Sequence, residues 1–233
     1  MKTYSFIYFD LDDTLLDHKR AERDSLQSVH QEFEFLQSID FQRLREQYHR
    51  VNSGLWLQYG KGEVDRYDIQ RRRFEETLAH FGLDSTRWEE VGDVYMSKYR
   101  FHWHWIEGTR TVFERIARVY PTGIMTNGFA ETQRKKFEAF GLYDLCREFV
   151  ISEEVGSIKP QPKVFEHATE AAGVSADQIL YVGDSFSSDV MGGRNFGWDV
   201  AWFTKETDPE KRNKAIFCFD DFKQLESFLF PDA

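Results

Sequence analysis

The chain has 233 residues, 41% of them hydrophobic and 30% charged, with a formal net charge of −10. That balance is too apolar for an unfolded chain and too acidic to attract a phosphate polymer, and the length suits one large domain or two modest ones that need no disulfide to close a core. Cys146 and Cys218 form no C-x-x-C pair and no apolar run approaches the ~20 residues that span a bilayer, so zinc-finger and membrane readings are excluded and a soluble, cytoplasmic protein is expected.

In chain order, residues 4–9 form a short apolar run that is too short for a signal segment and stops at Asp10, Asp12 and Asp13. A run of this kind, bounded by turn-forming residues, predicts a strand buried on both faces. Residues 17–105 then show no strand pattern. Their apolar stripe Leu44, Tyr48, Val51, Leu55 and Tyr59 has helical spacing, and Gly60, Gly62 and Gly82 divide the stretch into helix-sized pieces. From there the pattern alternates. Helices are predicted over 109–119, 130–140, 161–172, 188–196 and 221–230, and strands over 123–125, 149–151, 179–182, 200–203 and 215–219. Alternation of this kind predicts an α/β fold, a Rossmann-like doubly wound parallel sheet, carrying an inserted all-helical domain. The expected division is 1–16 with 106–233 for the α/β core, and 17–105 for the insert.

Ligands of open α/β sheets bind beyond the carboxyl ends of the strands. Polar clusters fall at three such ends: Asp10-Leu11-Asp12-Asp13-Thr14, Thr126-Asn127-Gly128, and Gly183-Asp184-Ser185 with Asp189. An isolated D-x-D is usually a surface turn. An EF-hand loop does not fit, because Leu15 and Ala21 stand where Gly and Glu are required. Strand alternation predicts that Asp10 and Asp12 share a side, where two close carboxylates call for a cation or a shared proton. Asp10 and Asp184 together offer hard oxygen ligands suited to Mg²⁺. Asp189 reads equally well as a helix-dipole residue behind an N-cap at Ser187 or Ser188. Asn-Gly suggests a hairpin, but the helical pattern after it makes a strand–turn–helix whose hydroxyl and N–H groups form an anion site. Lys159 alone would be a solvated lysine. Beside the other clusters it is the cation that opposes a phosphate.

In order and spacing these groups resemble the haloacid dehalogenase-like superfamily, whose motifs are D-x-D-x-T, a Thr or Ser after the second strand, a Lys, and G-D-x-x-x-x-D. Here they stand as Asp10 to Thr14, Thr126, Lys159, and Gly183-Asp184 to Asp189. The insert resembles that superfamily's C1-type cap. Val51-Asn52, Leu55-Trp56 and Tyr59, Thr126 to Phe129, Val150 to Gly156 ahead of Lys159-Pro160, and Gly192-Gly193 with Asn195 are similar to the noncanonical pyrimidine 5′-nucleotidases within it.

The resemblance implies a Mg²⁺-dependent phosphomonoester hydrolase working through an aspartyl-phosphate on Asp10, with Asp12 as the proton carrier. It also implies metal ligation by Asp10, Asp184 and the backbone carbonyl of Asp12, with Asp189 auxiliary, and a phosphate grip by Thr126, Asn127 and Lys159. An acid at position 12 sets the chain apart from the dehalogenases, since halide leaves without a proton. In the cap, Trp56 and Tyr59 are the candidates for stacking on a nucleobase, although aromatics in a helical bundle are more often core. The expected partner is a small phosphomonoester. A sugar-phosphate phosphatase or phosphomutase is the alternative enzyme, and a non-catalytic phosphate- or partner-binding module the alternative outside enzymes.

Overall fold

A computed structural model describes residues 2–231. The chain divides into two compact units, 1–17 with 105–233 and 18–104. In the first, strands β1 (Phe6–Phe9), β2 (Thr122–Thr126), β3 (Glu148–Ile151), β4 (Ile179–Gly183), β5 (Asp199–Phe203) and β6 (Phe217–Phe219) form one sheet in the order β3-β2-β1-β4-β5-β6. Every pairing is parallel, with Phe9 opposite Ile124 on one side and Val182 on the other. β1, β2 and β4 are buried along their whole length, which is why each reads as a short apolar run, with Thr122 and Thr126 bounding the one in β2.

Side chains alternate across the sheet, and two cores result. Ile7, Phe9, Leu180 and Val182 point into one, and Phe6, Tyr8, Ile179 and Tyr181 into the other. Opposite Tyr8, position 123 of β2 has no room for a side chain: a Cβ on Gly123 would lie 2.5 Å from the Tyr8 ring and 3.0 Å from the Glu148 carbonyl oxygen.

The second unit is helical. It holds α1 (His18–Glu32), α2 (Glu34–Gln37), α3 (Phe41–Gly60), α4 (Arg66–His80) and α5 (Trp88–Tyr99). Asp40 caps α3 by accepting from the Arg43 N–H at 3.0 Å, and Asp65 with Asp68 forms a capping box on α4. Leu44, Tyr48 and Leu55 of the α3 stripe are buried. Tyr48 joins Phe74, Tyr95 and Tyr99 in an aromatic core. Among the described residues, Trp56 and Tyr59 stand outside that cluster, half-buried and edge-to-face at 5.6 Å.

The first unit's remaining helices are α6 (Thr109–Val119), α7 (Ala130–Ala139), α8 (Ser152–Val155), α9 (Pro162–Ala172), α10 (Met191–Phe196), α11 (Pro209–Arg212) and α12 (Phe222–Leu229). α6 shows the logic: Thr109, Val112, Phe113 and Ile116 are buried at i, i+3, i+4 and i+7, one face turned to the sheet. The helix expected over 188–196 is interrupted. A π-helical turn at Phe186–Val190 precedes α10, and the residue capping it is Ser185, whose hydroxyl accepts from the Ser188 N–H.

Candidate active site

The site is built at the carboxyl ends of β1, β2 and β4. β1 ends at Phe9, and the chain then curls tightly: the N–H groups of Leu15 and Leu16 both bond the Leu11 carbonyl at 2.9 Å. Asp13 takes a left-handed φ of 63°, which a short polar side chain tolerates. The turn follows Asp12, so Asp10 and Asp12 lie on the stretch between the end of β1 and the turn. Their carboxylates engage different partners.

Asp10 is buried at 6% exposure. Its Oδ1 accepts from Lys159 Nζ at 2.6 Å and its Oδ2 from the Thr14 hydroxyl at 3.1 Å; Thr14 also lies 3.4 Å from Asp184 Oδ1. Burial raises the Asp10 carboxyl, to about 7, with Lys159 pulling against it and the charges of Asp189 and Asp12 pushing with it.

Lys159 is not a solvated lysine. It is 3% exposed, and its ammonium reaches Asp10, Asp189 Oδ1 (2.8 Å), the Tyr181 hydroxyl (2.6 Å) and the Met125 carbonyl (3.2 Å). Burial alone would lower this ammonium, and the two carboxylates beside it more than reverse that. Asp189 is likewise no dipole residue at a solvated helix end. It is 1% exposed, accepts from Lys159 and Tyr181 through Oδ1, and accepts the Ser185 N–H through Oδ2 at 2.9 Å.

One carboxylate oxygen each from Asp10, Asp184 and Asp189 lies within 4.8 Å of the others. Asp12 is outside this trio. Its Oδ1 accepts from Lys136 Nζ at 2.6 Å and its Oδ2 from Gln133 Nε2 at 2.8 Å. Gln133 also donates to the Thr126 hydroxyl oxygen at 2.6 Å. Asn127 spends its side chain on the Lys159 backbone, donating to the carbonyl at 3.0 Å and accepting the N–H at 2.8 Å, so it fixes the lysine's segment against the end of β2. The α7 N-terminus is partly occupied already, because the Ala130 N–H donates to Glu153 Oε2 at 2.7 Å.

Asp10, Asp12, Thr126, Asn127, Lys159, Asp184 and Asp189 thus meet at one end of the sheet. Sequence reasoning missed Tyr181, Gln133 and Lys136. Gln133 sits among Ala130, Phe137 and Phe140, the apolar stripe of α7, and a polar residue on such a stripe is the available signal. Tyr181 carries a hydroxyl in a fully buried strand, which demands a partner. Asp10, Asp184 and Asp189 gather three carboxylates at one point, and hard oxygen donors so placed suit a small divalent cation.

A family model described as haloacid dehalogenase-like hydrolase matches residues 7–203. In sequence the chain is similar to the HAD-hydrolase YfnB of Bacillus subtilis (strain 168), 29% identical over 214 residues covering 90% of this chain and 88% of YfnB. It is 31% identical over 201 residues to the pyrimidine 5′-nucleotidase YjjG of Escherichia coli (strain K12), covering 85% of each chain. It is 28% identical over 236 residues to a glyceraldehyde 3-phosphate phosphatase of Pyrococcus furiosus, covering 98% of this chain and 94% of that one. The crystal structure of YfnB bound to magnesium superposes with a TM-score of 0.83 at 26% identity, over 98% of this chain and 99% of that one. The matched stretch runs from β1 through β5 and contains every residue of the site, Asp10 to Asp189, so the chain belongs to the haloacid dehalogenase-like hydrolases.

Proposed function

We propose that this hydrolase is a Mg²⁺-dependent phosphatase of small phosphomonoesters, acting through a phosphoryl group carried on Asp10, and that nucleoside 5′-monophosphates, pyrimidine ones first, are its preferred substrates. The observation that carries the reading is the pairing of a buried carboxylate, Asp10, with a second carboxylate two residues on, each held by its own ammonium partner. Asp10 is fixed for in-line attack by Lys159 and Thr14, and Asp12 stands by as proton carrier. An Asp10 Oδ–P bond forms as the P–O bond to the leaving group breaks, and the departing oxygen takes the proton from Asp12. Water then attacks phosphorus, gives its proton to the Asp12 carboxylate, and the Asp10–P bond breaks to release inorganic phosphate.

Asp10, Asp184 and the backbone carbonyl of Asp12 would hold Mg²⁺, with Asp189 as an auxiliary ligand. When bound, the cation supplies the neutralisation that lets a phosphate approach a cluster of carboxylates and keeps the buried Asp10 ionised. The Thr126 hydroxyl, the Lys159 ammonium and the turn at Asn127 grip the phosphoryl oxygens, where fixed donors act most strongly because water is excluded. Choice of leaving group is assigned to the helical unit, with Trp56 and Tyr59 as its base-stacking residues.

Phosphate release across nucleotides and sugar phosphates with Mg²⁺ tests both levels. Asp10→Asn abolishes turnover, and Asp12→Asn leaves about 10²–10⁴-fold less. Full turnover by Asp10→Asn, with deamidation excluded by mass, removes the nucleophile. Sugar phosphates turned over far better than UMP, dUMP or dTMP replace the nucleotide reading with the second one, a sugar-phosphate phosphatase, which the near full-length similarity to the Pyrococcus furiosus glyceraldehyde 3-phosphate phosphatase supports.

A further inference from the structure

Two α7 side chains with no place in the motifs grip Asp12. Lys136 and Gln133 are 2% and 1% exposed, and they donate to different oxygens of its carboxylate, at 2.6 and 2.8 Å. Gln133 donates from the same nitrogen to Thr126 Oγ1 at 2.6 Å, so one amide joins the residue that moves the proton to the hydroxyl that meets the phosphate. The chain makes room for this: a Cβ at Gly128 would collide with the Gln133 side chain. A buried lysine is a poor way to gain stability, since an apolar residue of similar volume is often as good or better.

We propose that Gln133 and Lys136 are positioning residues for proton transfer, a clamp that fixes the Asp12 carboxylate in the orientation from which it serves the leaving oxygen and the attacking water. The proposal rests on the assignment of Asp12 as proton carrier. An unclamped Asp side chain turns about two bonds. With a donor on each oxygen, the carboxylate is held in one plane and aimed in a fixed direction. Thr126, accepting through its oxygen, keeps its hydroxyl hydrogen to donate to the phosphoryl group. Misplacement of a reacting group by about 1 Å costs on the order of 10²-fold, so the clamp acts on rate without touching substrate.

The leaving group separates this role from a merely structural one. An alkoxide must be protonated as it departs, whereas p-nitrophenolate leaves without a proton. The test measures kcat/KM, which ends at departure of the leaving group, for p-nitrophenyl phosphate and for the alkyl phosphate turned over fastest in the substrate panel. Lys136→Met is the principal variant and Gln133→Leu the second, with circular dichroism as the check on folding. The alkyl phosphate is expected to lose about 10–100-fold and p-nitrophenyl phosphate less than about threefold. Equal losses on both substrates, or no loss on the alkyl phosphate, overturn the clamp. If the unmodified protein releases phosphate from neither substrate, the phosphatase reading fails instead. Should Lys136→Met not fold, Gln133→Leu decides the matter on the same pair of substrates.

Discussion

Lys159→Met is the sharpest test of how the site is held together. The substitution keeps an unbranched apolar chain as far as Cε and removes the ammonium, which lies 2.6 Å from Asp10 and 2.8 Å from Asp189 in a 3% exposed position. Without it two buried carboxylates face each other with ligand oxygens no more than 4.8 Å apart. At an effective dielectric of 20 that repulsion is about 3 kcal/mol, and breaking a buried ion pair from one side costs about 3–5 kcal/mol. For a unit of this size, 1 kcal/mol moves Tm by about 2–4 °C, so the α/β unit should melt about 6–20 °C lower in EDTA.

The pH dependence has a definite sign. Burial already raises the Asp10 carboxyl above its unfolded value with Lys159 in place, and losing the cation raises it further. A folded-state carboxyl above its unfolded value favours the fold at low pH, and the advantage is lost as pH climbs through the folded value. The deficit of Lys159→Met is therefore smallest near pH 5 and largest at pH 8. Asp189→Asn added to the same chain removes the repulsion and should recover about 2–3 kcal/mol of it. Thermal melts of the two single variants and the double variant complete the cycle. A Lys159→Met protein melting within about 3 °C of the parent in EDTA, or a double variant no more stable than Lys159→Met alone, refutes the electrostatic account.

Three further outcomes are expected in other parts of the molecule. Gly123→Ala drives a methyl into the Tyr8 ring and the Glu148 carbonyl, and overpacking of that kind should cost about 1–3 kcal/mol in a urea melt. Glu206 accepts from the Thr207 and Asp208 N–H groups at 3.0 and 3.1 Å and from Lys211 at 2.9 Å, and the Lys211 hydrogen bond leads in lowering its carboxyl to about 2. A depressed carboxyl stabilises above its unfolded value, so Glu206→Gln should melt below the parent at pH 7 and converge with it as pH falls from about 4.5 to 2. Burial pushes the Cys146 thiol up to about 12, so iodoacetamide at pH 8 should label the half-buried Cys218 and leave Cys146 unmodified in the folded protein, as read by peptide mass spectrometry.

The sheet is legible in the sequence because a strand buried on both faces must be apolar throughout, and a polar cluster at its end then stands out. Residues 179–182 followed by Gly183-Asp184 show this most plainly. Three such ends converge, whatever contacts their side chains make. The partners of those carboxylates are not legible. Lys136 follows Lys135 in a charged helix, and nothing local distinguishes the lysine that bonds a surface glutamate from the one buried against Asp12. The difference lies in one residue of helix phase, about 100°, fixed by Phe137 packing into the core.

Lys159 and Asp189 each read two ways from sequence, and the reason is common to both. The habits of a residue type describe single residues in contact with water, and neither side chain is one. What determines both is a pairing between chain segments 30 residues apart, at 2.8 Å, that excludes water from each. A buried charge is never explained by its own neighbourhood in the sequence. The useful inference is conditional: once Asp10 is placed at the end of a buried strand, some cation must accompany it, and Lys159, between Ile158 and Pro160 ahead of α9, becomes the residue to test rather than a lysine to dismiss.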